Sequence, residues 1–401
     1  MTVRVNKPPI DLRSKLSELE RPIGVKGNEL MRAETAQEAR DLVSAGRKNL
    51  VHNGDFRIDQ RGGPHTTVTS YHLDRWKFQR DALAEYTHEV TSSTDAPNGF
   101  SNSLRLEVIS TETSGVSSTK DLALTQEMEG QDLQLLAAGT SSAKPFTLSF
   151  WVKSTKPGVY CVSVVADPTD VSSGNKIFST TYKINSASVW EYKTVNIPPC
   201  TLTTIRNDTG RGMSLRWLTI AGSAYTGATT GNLHQWSNYH SSLFAGGHET
   251  QLITDGDVWQ ITGVQLEVGK NATEFEHRSY GEELALCQRY FYINGGEQHD
   301  IISQAFSPHT TEIAIAWPHP VEMRATPTVT ISSTNNNNTD FYFRTINNTG
   351  FALTGNGRSI AQMTKHHASI WFNSMSGVPA VPGQVRVQNA RTAFIHLSAE
   401  L

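Results

Sequence analysis

The chain has 401 residues, a net charge of −3 and 37% hydrophobic residues. This length exceeds what one hydrophobic core usually supports, so we expect two globular domains and a tail. The sequence has no basic stripe and no apolar run of the roughly 20 residues that span a bilayer, so neither nucleic acid nor membrane insertion is expected.

Cysteine usage and composition indicate where the protein is made and where it acts. Cys161, Cys200 and Cys287 are an odd number at unrelated spacings, which predicts small buried hydrophobic residues and disfavours a disulfide framework or a zinc cluster. Residues 91–120 contain 13 Ser or Thr in 30, a composition typical of extracellular adhesins. The first residues lack the hydrophobic stretch of a signal peptide. We therefore expect a protein made in the host cytoplasm and released by lysis as a virion component.

The first helix is predicted within residues 1–48, which differ in pattern from everything after them. Asp11 is placed to cap this helix, and Leu12, Leu16 and Leu19 then fall on one face. Pro22 ends it. The spacing therefore predicts a short amphipathic helix with a narrow apolar face.

A second short helix follows. Thr35 and Glu38 form a capping box, Leu42 lies on the thin apolar face, and Gly46 stands where a C-terminal glycine belongs. Such short helices are marginal alone, so the segment needs a partner surface. That surface is either the chain's own next domain or other copies of the chain.

Residues 49–278 have the pattern of an all-β jelly-roll sandwich. Short runs that alternate apolar and polar residues are separated by turn sequences such as Pro97-Asn98-Gly99. The predicted strands cover residues 104–109, 146–153, 159–165, 189–197, 214–220 and 258–268.

A helical connector at residues 279–289 and a second, smaller β-sandwich domain are predicted after the jelly-roll. Ser279 and Glu282 form a capping box that opens a helix at residues 282–289. Residues 290–401 form the smaller domain. Its predicted strands cover residues 312–317, 326–332, 341–345, 368–372, 384–387 and 392–397.

Enzymatic activity is not expected. The acidic pairs Glu127/Glu129, Asp255/Asp257 and Glu282/Glu283 are clustered only locally, whereas glycoside hydrolysis needs carboxylates on facing elements. The sequence has no nucleophile elbow, no His-Glu-x-x-His zinc motif and no phosphate-binding loop.

The best candidate for ligand binding is the long loop at residues 223–249, which is rich in aromatic side chains, histidines and small polar residues. Aromatic faces stack on sugar C–H surfaces, and amides and hydroxyls bond sugar hydroxyls, so this composition suits a glycan. Trp236 and Phe244 are predicted to fold inward and anchor the loop. The candidate glycan-binding residues are Tyr225, His234, Tyr239 and His240.

Four other tryptophans lie within strand patterns. Trp76, Trp151, Trp190 and Trp217 are therefore predicted to belong to the core and not to a ligand platform.

Several motifs resemble those of known families. Residues 49–56 (Asn-Leu-Val-His-Asn-Gly-Asp-Phe) and 257–269 resemble the paired first and last strands of carbohydrate-binding jelly-roll modules. They resemble still more closely the fibre and adhesin proteins of tailed bacteriophages, as do residues 278–290 after the sandwich. The run Pro-Val-Glu-Met-Arg-Ala-Thr-Pro at 320–327 is similar to a recurrent phage C-terminal motif.

The phage resemblance implies a fibre or spike subunit that attaches to other virion proteins of the tail, collar or capsid through residues 1–48 and binds host surface polysaccharide. It also implies a homotrimer in which Leu12, Leu16, Leu19 and Leu42 pack near the axis. The alternative is a purely structural head-decoration, collar or tail protein that does not bind glycan.

Carbohydrate-binding jelly-roll modules of this kind often bind structural calcium where the first and last strands meet. The resemblance therefore points to Asp55 and Asp257 as metal ligands, although Arg57 stands where a further acid is usual. Calcium needs six or more oxygen ligands. Apart from this calcium, no cofactor is expected.

Overall fold

The structure is a computed structural model that describes residues 48–66, 70–80, 87–169, 172, 174–227, 233–295, 299–332, 341–353, 357–373, 378–387 and 394–401. The chain divides into two compact units, Met1–Lys48 and Asn49–Leu401. The helix and trimer predictions for Leu12, Leu16, Leu19 and Leu42 lie outside the described residues.

The first part of the larger unit is a sandwich of two antiparallel sheets. A seven-stranded sheet has the order β1-β2-β5-β10-β7-β8-β11, and a five-stranded sheet has the order β3-β4-β12-β6-β9. The strands are β1 (Ser70–Tyr71), β2 (Lys77–Arg80), β3 (Thr87–Ser93), β4 (Ser103–Ser110), β5 (Asp121–Glu129), β6 (Phe146–Ser154), β7 (Gly158–Ala166), β8 (Lys176–Ile184), β9 (Glu191–Ile197), β10 (Arg211–Ala221), β11 (Ser237–Asn238) and β12 (Val258–Val268). A 3-10 helix, Gly130–Leu136, follows β5.

Alternation along the strands builds the core between these sheets. In β6 the side chains of Phe146, Leu148, Phe150 and Val152 point inward and are buried. Trp217 of β10 packs edge-on to Phe150 with ring centroids 5.7 Å apart. Burying a large apolar side chain contributes roughly 1.5–3 kcal/mol, so this core is the main source of stability in the sandwich.

The opening segment lies beside β12, as predicted, but it is not a regular strand. Leu50 N donates to Leu266 O at 2.9 Å, and Val264 N donates to Gly54 O at 2.9 Å. The Asn49 side chain joins the same edge, since it donates to Val264 O at 3.1 Å and accepts from Leu266 N at 3.1 Å. Side-chain hydrogen bonds therefore replace part of a strand ladder here.

Bends in this segment explain why it departs from a strand. Asn53 and Phe56 both have positive φ, at 52° and 56°. The Asn53 amide donates to Ile58 O and accepts from Ile58 N, which closes the turn. The turn directs Phe56 into the core, where its ring lies 4.8 Å from that of Trp76.

A second sandwich with its own hydrophobic core follows. A three-stranded sheet has the order β13-β22-β16, and a seven-stranded sheet has the order β18-β17-β21-β14-β15-β20-β19. The strands are β13 (Phe291–Gly295), β14 (Ile301–His309), β15 (Glu312–Pro318), β16 (Thr328–Ser332), β17 (Phe341–Thr345), β18 (Gly350–Ala352), β19 (Gly357–Met363), β20 (His367–Asn373), β21 (Pro382–Val387) and β22 (Phe394–Ser398). The prediction of an all-β fold, with a jelly-roll sandwich followed by a smaller β-sandwich, is confirmed for the described residues.

Two α-helices are described, α1 (Ser223–Thr226) and α2 (Tyr280–Gln288). The predicted capping box of α2 is present, with Ser279 Oγ accepting from Glu282 N and the Glu282 side chain accepting from Ser279 N. Among the described residues, no helix is both long and apolar enough to cross a membrane.

Buried polar contacts connect the two sandwiches at the end of α2. Glu129 of β5 accepts hydrogen bonds from Arg289 Nε at 2.8 Å, Arg289 Nη2 at 2.9 Å and the Tyr290 hydroxyl at 2.5 Å. Arg75 lies over the Tyr290 ring and donates to Glu400 at 2.5 Å. The joint therefore consists of charged hydrogen bonds between specific side chains.

Residues 233–249 cover the outer face of the first seven-stranded sheet. Phe244 and Ala245 pack on Ala123, Cys161 and Leu218, which point outward from that sheet. Trp236 donates from Nε1 to Pro198 O at 2.8 Å and packs on the main core. The prediction that Trp236 and Phe244 anchor this loop is confirmed.

The three cysteines are free and buried. This confirms the prediction that they serve as small hydrophobic residues. Burial raises the pKa of the Cys161 and Cys287 thiols well above their ordinary value, so both remain protonated.

Candidate functional site

The five-stranded sheet carries an open groove of about 740 Å³ on its outer face. Ligand sites in proteins commonly have volumes of about 300–1,000 Å³. Aromatic, hydroxyl and amide side chains line this groove, together with one carboxylate among the described lining residues. They are Asn98, Gly99, Phe100, Ser149, Trp151, Tyr192, Gly263, Ala272, Thr273, Glu274, Phe275 and His277.

An aromatic pair forms one side of the groove floor. Trp151 of β6 and Tyr192 of β9 are directly opposite each other across the strands. Their ring centroids are 5.3 Å apart and their planes are tilted by 49°. Tyr192 is 44% exposed, and Trp151 is partly exposed. Alternation places both on the outward side because Phe150 and Val152 occupy the inward side of β6.

A second aromatic cluster forms the facing wall. The ring of Phe100 lies 5.1 Å from that of Phe275 and 5.4 Å from that of His277. The turn before Phe100 is closed by its own N–H, which donates to Pro97 O at 3.1 Å. The wall therefore consists of two segments, at residues 97–100 and 272–277, that are distant in sequence.

A polar cluster holds the second of these segments on the sheet. Glu267 accepts hydrogen bonds from Thr273 N at 2.8 Å and Thr273 Oγ1 at 2.7 Å. Gln265 accepts from Glu276 N at 2.8 Å. Both Glu267 and Gln265 are buried, so their role is to position Phe275 and His277 and not to contact a ligand directly.

A β-bulge lies between the two aromatic groups. The pairing of β12 with β6 shifts register between Thr262 and Gln265, and Gly263 has a φ of +61°. A Cβ at Gly263 would lie 2.6 Å from Phe100 Cζ and 3.2 Å from Trp151 Cδ1. Bulges are common beside functional sites because they redirect side chains, and glycine here allows both rings to approach the groove floor.

Trp190 lies at the end of the same sheet face. Its Nε1 donates to Asp95 Oδ1 at 3.3 Å, and Lys153 Nζ is 5.0 Å from its ring. The hydrogen bond from Lys153 holds the pKa of Asp95 below its usual value, so that carboxylate stays ionised. A charged rim therefore borders the groove on this side.

The tryptophan predictions separate into two outcomes. Trp76 and Trp217 are fully buried, which confirms that they belong to the core. For Trp151 and Trp190 the prediction is wrong, because both are partly exposed on the outer sheet face. An alternating pattern identifies a strand but not the side of it that another layer covers.

The predicted glycan-binding residues of the loop lie on the other sheet. His234 N donates to Ser179 O at 2.9 Å, and Tyr239 N donates to Asn175 O at 2.8 Å. These hydrogen bonds attach the loop to β8 and to the residue that precedes it. Tyr239 is 43% exposed, and His240 is exposed and caps a 3-10 helix. Tyr225 is partly buried against Phe244. These residues do not join the groove of Trp151.

The predicted calcium ligands are not brought together. Asp55 follows Gly54, which pairs with Val264, whereas Asp257 precedes the opposite end of β12. At about 3.3 Å per strand residue, they are roughly 20 Å apart. Asp55 is paired with Arg57 at 3.0 Å, and Asp257 accepts from Thr254 N at 3.0 Å. Within the described residues no group of three or more His, Cys, Asp or Glu is arranged to hold a metal, so these carboxylates do not fit a calcium site.

Comparisons with known proteins give no family for this chain. No protein-family model matches the sequence, and a search of curated proteins gives no match. The enzymatically active domain of tailspike protein 4 from bacteriophage CBA120 is similar at 13% identity and a TM-score of 0.28, over 55% of this chain and 21% of that chain. This chain thus spans about a fifth of the tailspike chain.

Two carbohydrate-binding modules are also similar in structure. The family 11 module of a Clostridium thermocellum cellulosomal cellulase has 8% identity and a TM-score of 0.27, over 54% of this chain and 100% of that chain. A xylan-binding domain from Paenibacillus barcinonensis has 17% identity and a TM-score of 0.26, over 49% of this chain and 92% of that chain. At these identities and TM-scores the similarities carry no argument.

Proposed function

We propose that this chain is a non-enzymatic fibre or spike subunit of a tailed phage and binds host surface polysaccharide in the groove of the five-stranded sheet. The observation that carries the glycan-binding part is the pairing of Trp151 with Tyr192 on an open, polar sheet face. Aromatic rings offer flat faces to sugar C–H groups, and Asn98 and Thr273 supply an amide and a hydroxyl that hydrogen-bond sugar hydroxyls.

The composition of the groove supports binding over hydrolysis. Glycoside hydrolysis uses two carboxylates on either side of the scissile bond. Among the described residues that line the groove, Glu274 alone carries a carboxylate. An open groove with two aromatic groups and one acid suits a glycan chain that is held and released unchanged.

The phage part of the proposal is supported by the motifs at residues 49–56, 278–290 and 320–327. In this proposal residues 1–48 attach the chain to tail, collar or capsid proteins and assemble a homotrimer. Three linked sites multiply the apparent affinity of individually weak ones, which suits reversible adsorption to a cell surface. Sedimentation of the full-length protein tests the trimer, and a monomer at micromolar concentration contradicts it.

A second candidate surface for glycan is the loop at residues 223–249. The observation in its favour is that Tyr239 and His240 are exposed there beside small polar residues. The rival function is purely structural, with the sandwich packing against neighbouring virion subunits.

Binding of the full-length protein to a panel of bacterial surface polysaccharides tests the proposed function. We expect saturable binding to at least one acidic or neutral polysaccharide, without release of reducing ends during prolonged incubation. Release of reducing sugar would show hydrolysis. Failure to bind any polysaccharide of a strain to which the virion adsorbs would favour the purely structural role.

A further inference from the structure

An arginine that forms no ion pair with any described residue lies on the outer face of the first seven-stranded sheet, opposite the sheet that carries the groove. Arg216 of β10 is directly opposite Thr125 of β5 on one side and Ser163 of β7 on the other. Ser214 precedes it by two residues on the same face of the same strand. Because neighbouring strands are about 4.8 Å apart, these four side chains form one patch.

Four polar atoms in this patch are buried without hydrogen-bond partners among the described residues. They are Thr125 Oγ1, Ser163 Oγ, Ser214 Oγ and Arg216 Nε. Thr125, Ser163 and Ser214 are fully buried residues. Buried polar groups in folded proteins are almost always hydrogen-bonded, and a cluster of unpartnered donors on adjacent strands calls for a shared acceptor.

The two carboxylates whose charges reach Arg216, Glu127 and Asp167, are ion-paired with other cations. Glu127 is ion-paired with Lys77 at 2.7 Å and with Arg211 at 3.0 Å. Asp167 is ion-paired with Arg211 at 2.5 Å. Lys77 and Arg211 therefore share these two carboxylates, and no carboxylate of the described residues lies within ion-pair distance of Arg216.

The loop at residues 233–249 encloses the patch from above. The guanidinium carbon of Arg216 is 5.0 Å from the centroid of the Phe244 ring. Burial lowers the pKa of Arg216, and Tyr239 lies close enough to influence that pKa. Since Tyr239 is 43% exposed, the patch has an aromatic border on its solvent side.

We propose that Arg216, with the hydroxyls of Thr125, Ser163 and Ser214, forms a binding site for one oxyanion: a carboxylate, a sulfate or a phosphate. A guanidinium presents parallel N–H donors that match two oxygens of such a group, and each hydroxyl donates one further hydrogen bond. The oxyanion is either a free inorganic ion or the acidic group of a sugar. The site is separate from the polysaccharide groove and does not depend on it.

Isothermal titration of the full-length protein with sodium sulfate, sodium phosphate, glucuronate and uncharged glucose, at constant ionic strength in chloride, tests the proposal. We expect saturable binding of at least one oxyanion and none of glucose. Arg216→Met should weaken that binding at least tenfold. Arg105→Met is the matched control, because Arg105 lies on the outer face of the other sheet and pairs with Glu107.

Ser163→Ala and Ser214→Ala each remove one hydroxyl oxygen without changing the charge. They therefore test the proposed oxyanion site even if Arg216→Met does not fold. Each should weaken oxyanion binding severalfold. Glucuronate binding without sulfate or phosphate binding would assign the site to acidic sugars, and the reverse would assign it to a free ion.

Two results would overturn the proposal. One is the lack of saturable binding of every oxyanion by the wild-type protein. The other is unchanged oxyanion binding in Arg216→Met or in both serine variants. Trp151→Ala, which alters the groove, should leave oxyanion binding unchanged, so failure of this proposal and failure of the polysaccharide proposal are distinguishable.

Discussion

At the scale of single residues, the opening motif is a structural clamp. Asn49 hydrogen-bonds β12 through its side chain, and Asn53 closes the turn that directs Phe56 into the core. Gly54 follows Asn53, at the point where the opening segment comes closest to the backbone of Val264. The motif therefore closes the sandwich by holding the opening segment on β12.

Gly54→Ala should destabilise the protein. A Cβ at Gly54 would lie 2.2 Å from Val264 O, a backbone atom that has no freedom to rotate away. Relief of such a contact typically costs about 1–3 kcal/mol. The measurement is the free energy of unfolding in urea. Gly281→Ala is the control, because a Cβ there meets nothing within 4 Å and alanine favours the helix. Equal stability of the two variants would contradict the close approach.

Asp74 should make stability depend on pH. Burial raises its pKa from 3.8 to about 6, although Arg61 and Gln60 favour the ionised form. The folded protein then binds this proton more tightly than the unfolded chain does. The stability that Asp74 contributes is therefore complete below pH 3.8 and is lost as pH rises to about 6. A difference of about two pKa units corresponds to ~3 kcal/mol.

Burial lowers the pKa of His248 from 6.5 to about 4. The stability that depends on His248 therefore increases as pH rises over this range, which is opposite to the effect of Asp74. The two trends offset each other in the wild-type protein. The informative quantity is therefore the difference in unfolding free energy between Asp74→Asn and wild type, which should increase in favour of the variant as pH rises from 4 to 6. A difference that stays constant with pH would show that Asp74 is not perturbed by burial.

The contrast between Trp151 and Trp76 shows what the residue pattern predicts and what it does not. Both lie in β-rich sequence, and both were expected in the core. Alternation identifies opposite sides of a strand but not which side is covered. The face of β6 that carries Trp151 is not covered by another layer. Segments 97–100 and 272–277 border this face on its sides and so form the groove. Those segments are too distant in sequence for local periodicity to place them.

At the scale of elements, the long loop after β10 serves as a cover for the seven-stranded sheet. Leu243 packs on Val165 and Ile177, and Phe244 packs on Cys161 and Leu218. The two outer faces of the sandwich therefore differ in kind. One is covered by a loop with exposed Tyr239 at its border, and the other is an open groove.

Trp236→Ala should lower thermal stability more than Tyr239→Ala does. Trp236 loses its hydrogen bond to Pro198 O and its packing against Phe146 and Phe178. Full truncation of a buried tryptophan costs about 3–5 kcal/mol, and the partial exposure of Trp236 reduces this to about 2 kcal/mol. Thermal unfolding monitored by circular dichroism is the measurement. Similar melting temperatures for both variants would mean that Trp236 does not anchor the loop.

Strand prediction succeeded for several long strands of the first sandwich and failed for β5. The predicted strands at residues 104–109, 146–153 and 258–268 agree with β4, β6 and β12 within one or two residues. Strand β5 was missed because the Leu, Gln, Glu and Met content of Asp121–Glu129 favours helix when taken alone, although Leu122, Leu124 and Met128 alternate with small or polar residues.

At the scale of the whole molecule, the described part of residues 49–401 consists of two sandwiches joined by charged hydrogen bonds. The acceptor at the centre of the joint, Glu129, is fully buried. Arg324 extends the joint by donating to Thr209 O at 3.0 Å and to Ala399 O at 2.7 Å. These contacts cross between strands of the first sandwich and the end of the second, so the two should unfold together.

Glu129→Ala should cause the two sandwiches to unfold in separate transitions. The substitution leaves Arg289 and Tyr290 without their acceptor. Breaking a buried ion pair in this way costs about 3 kcal/mol. This figure is the low end of the usual range, because Arg289 is only half-buried. Differential scanning calorimetry should show one transition for the wild-type protein and two for the variant. Asp208→Ala, which removes an exposed pair with Arg206, is the control and should keep one transition. A single transition in Glu129→Ala would show that the joint does not couple the sandwiches.

Glycan binding in the groove of the five-stranded sheet is the central claim, and a pair of matched variants tests it most directly. Tyr192 and Tyr239 are exposed to nearly the same extent, 44% and 43%, but lie on opposite faces of the sandwich. The measurement is the affinity of Tyr192→Ala and Tyr239→Ala for the polysaccharide that the wild-type protein binds. Loss of one stacking aromatic typically removes about 1 kcal/mol, or about fivefold in affinity per site. We predict this loss for Tyr192→Ala and wild-type affinity for Tyr239→Ala. Unchanged affinity in Tyr192→Ala together with a loss in Tyr239→Ala would contradict the claim and assign the glycan to the loop.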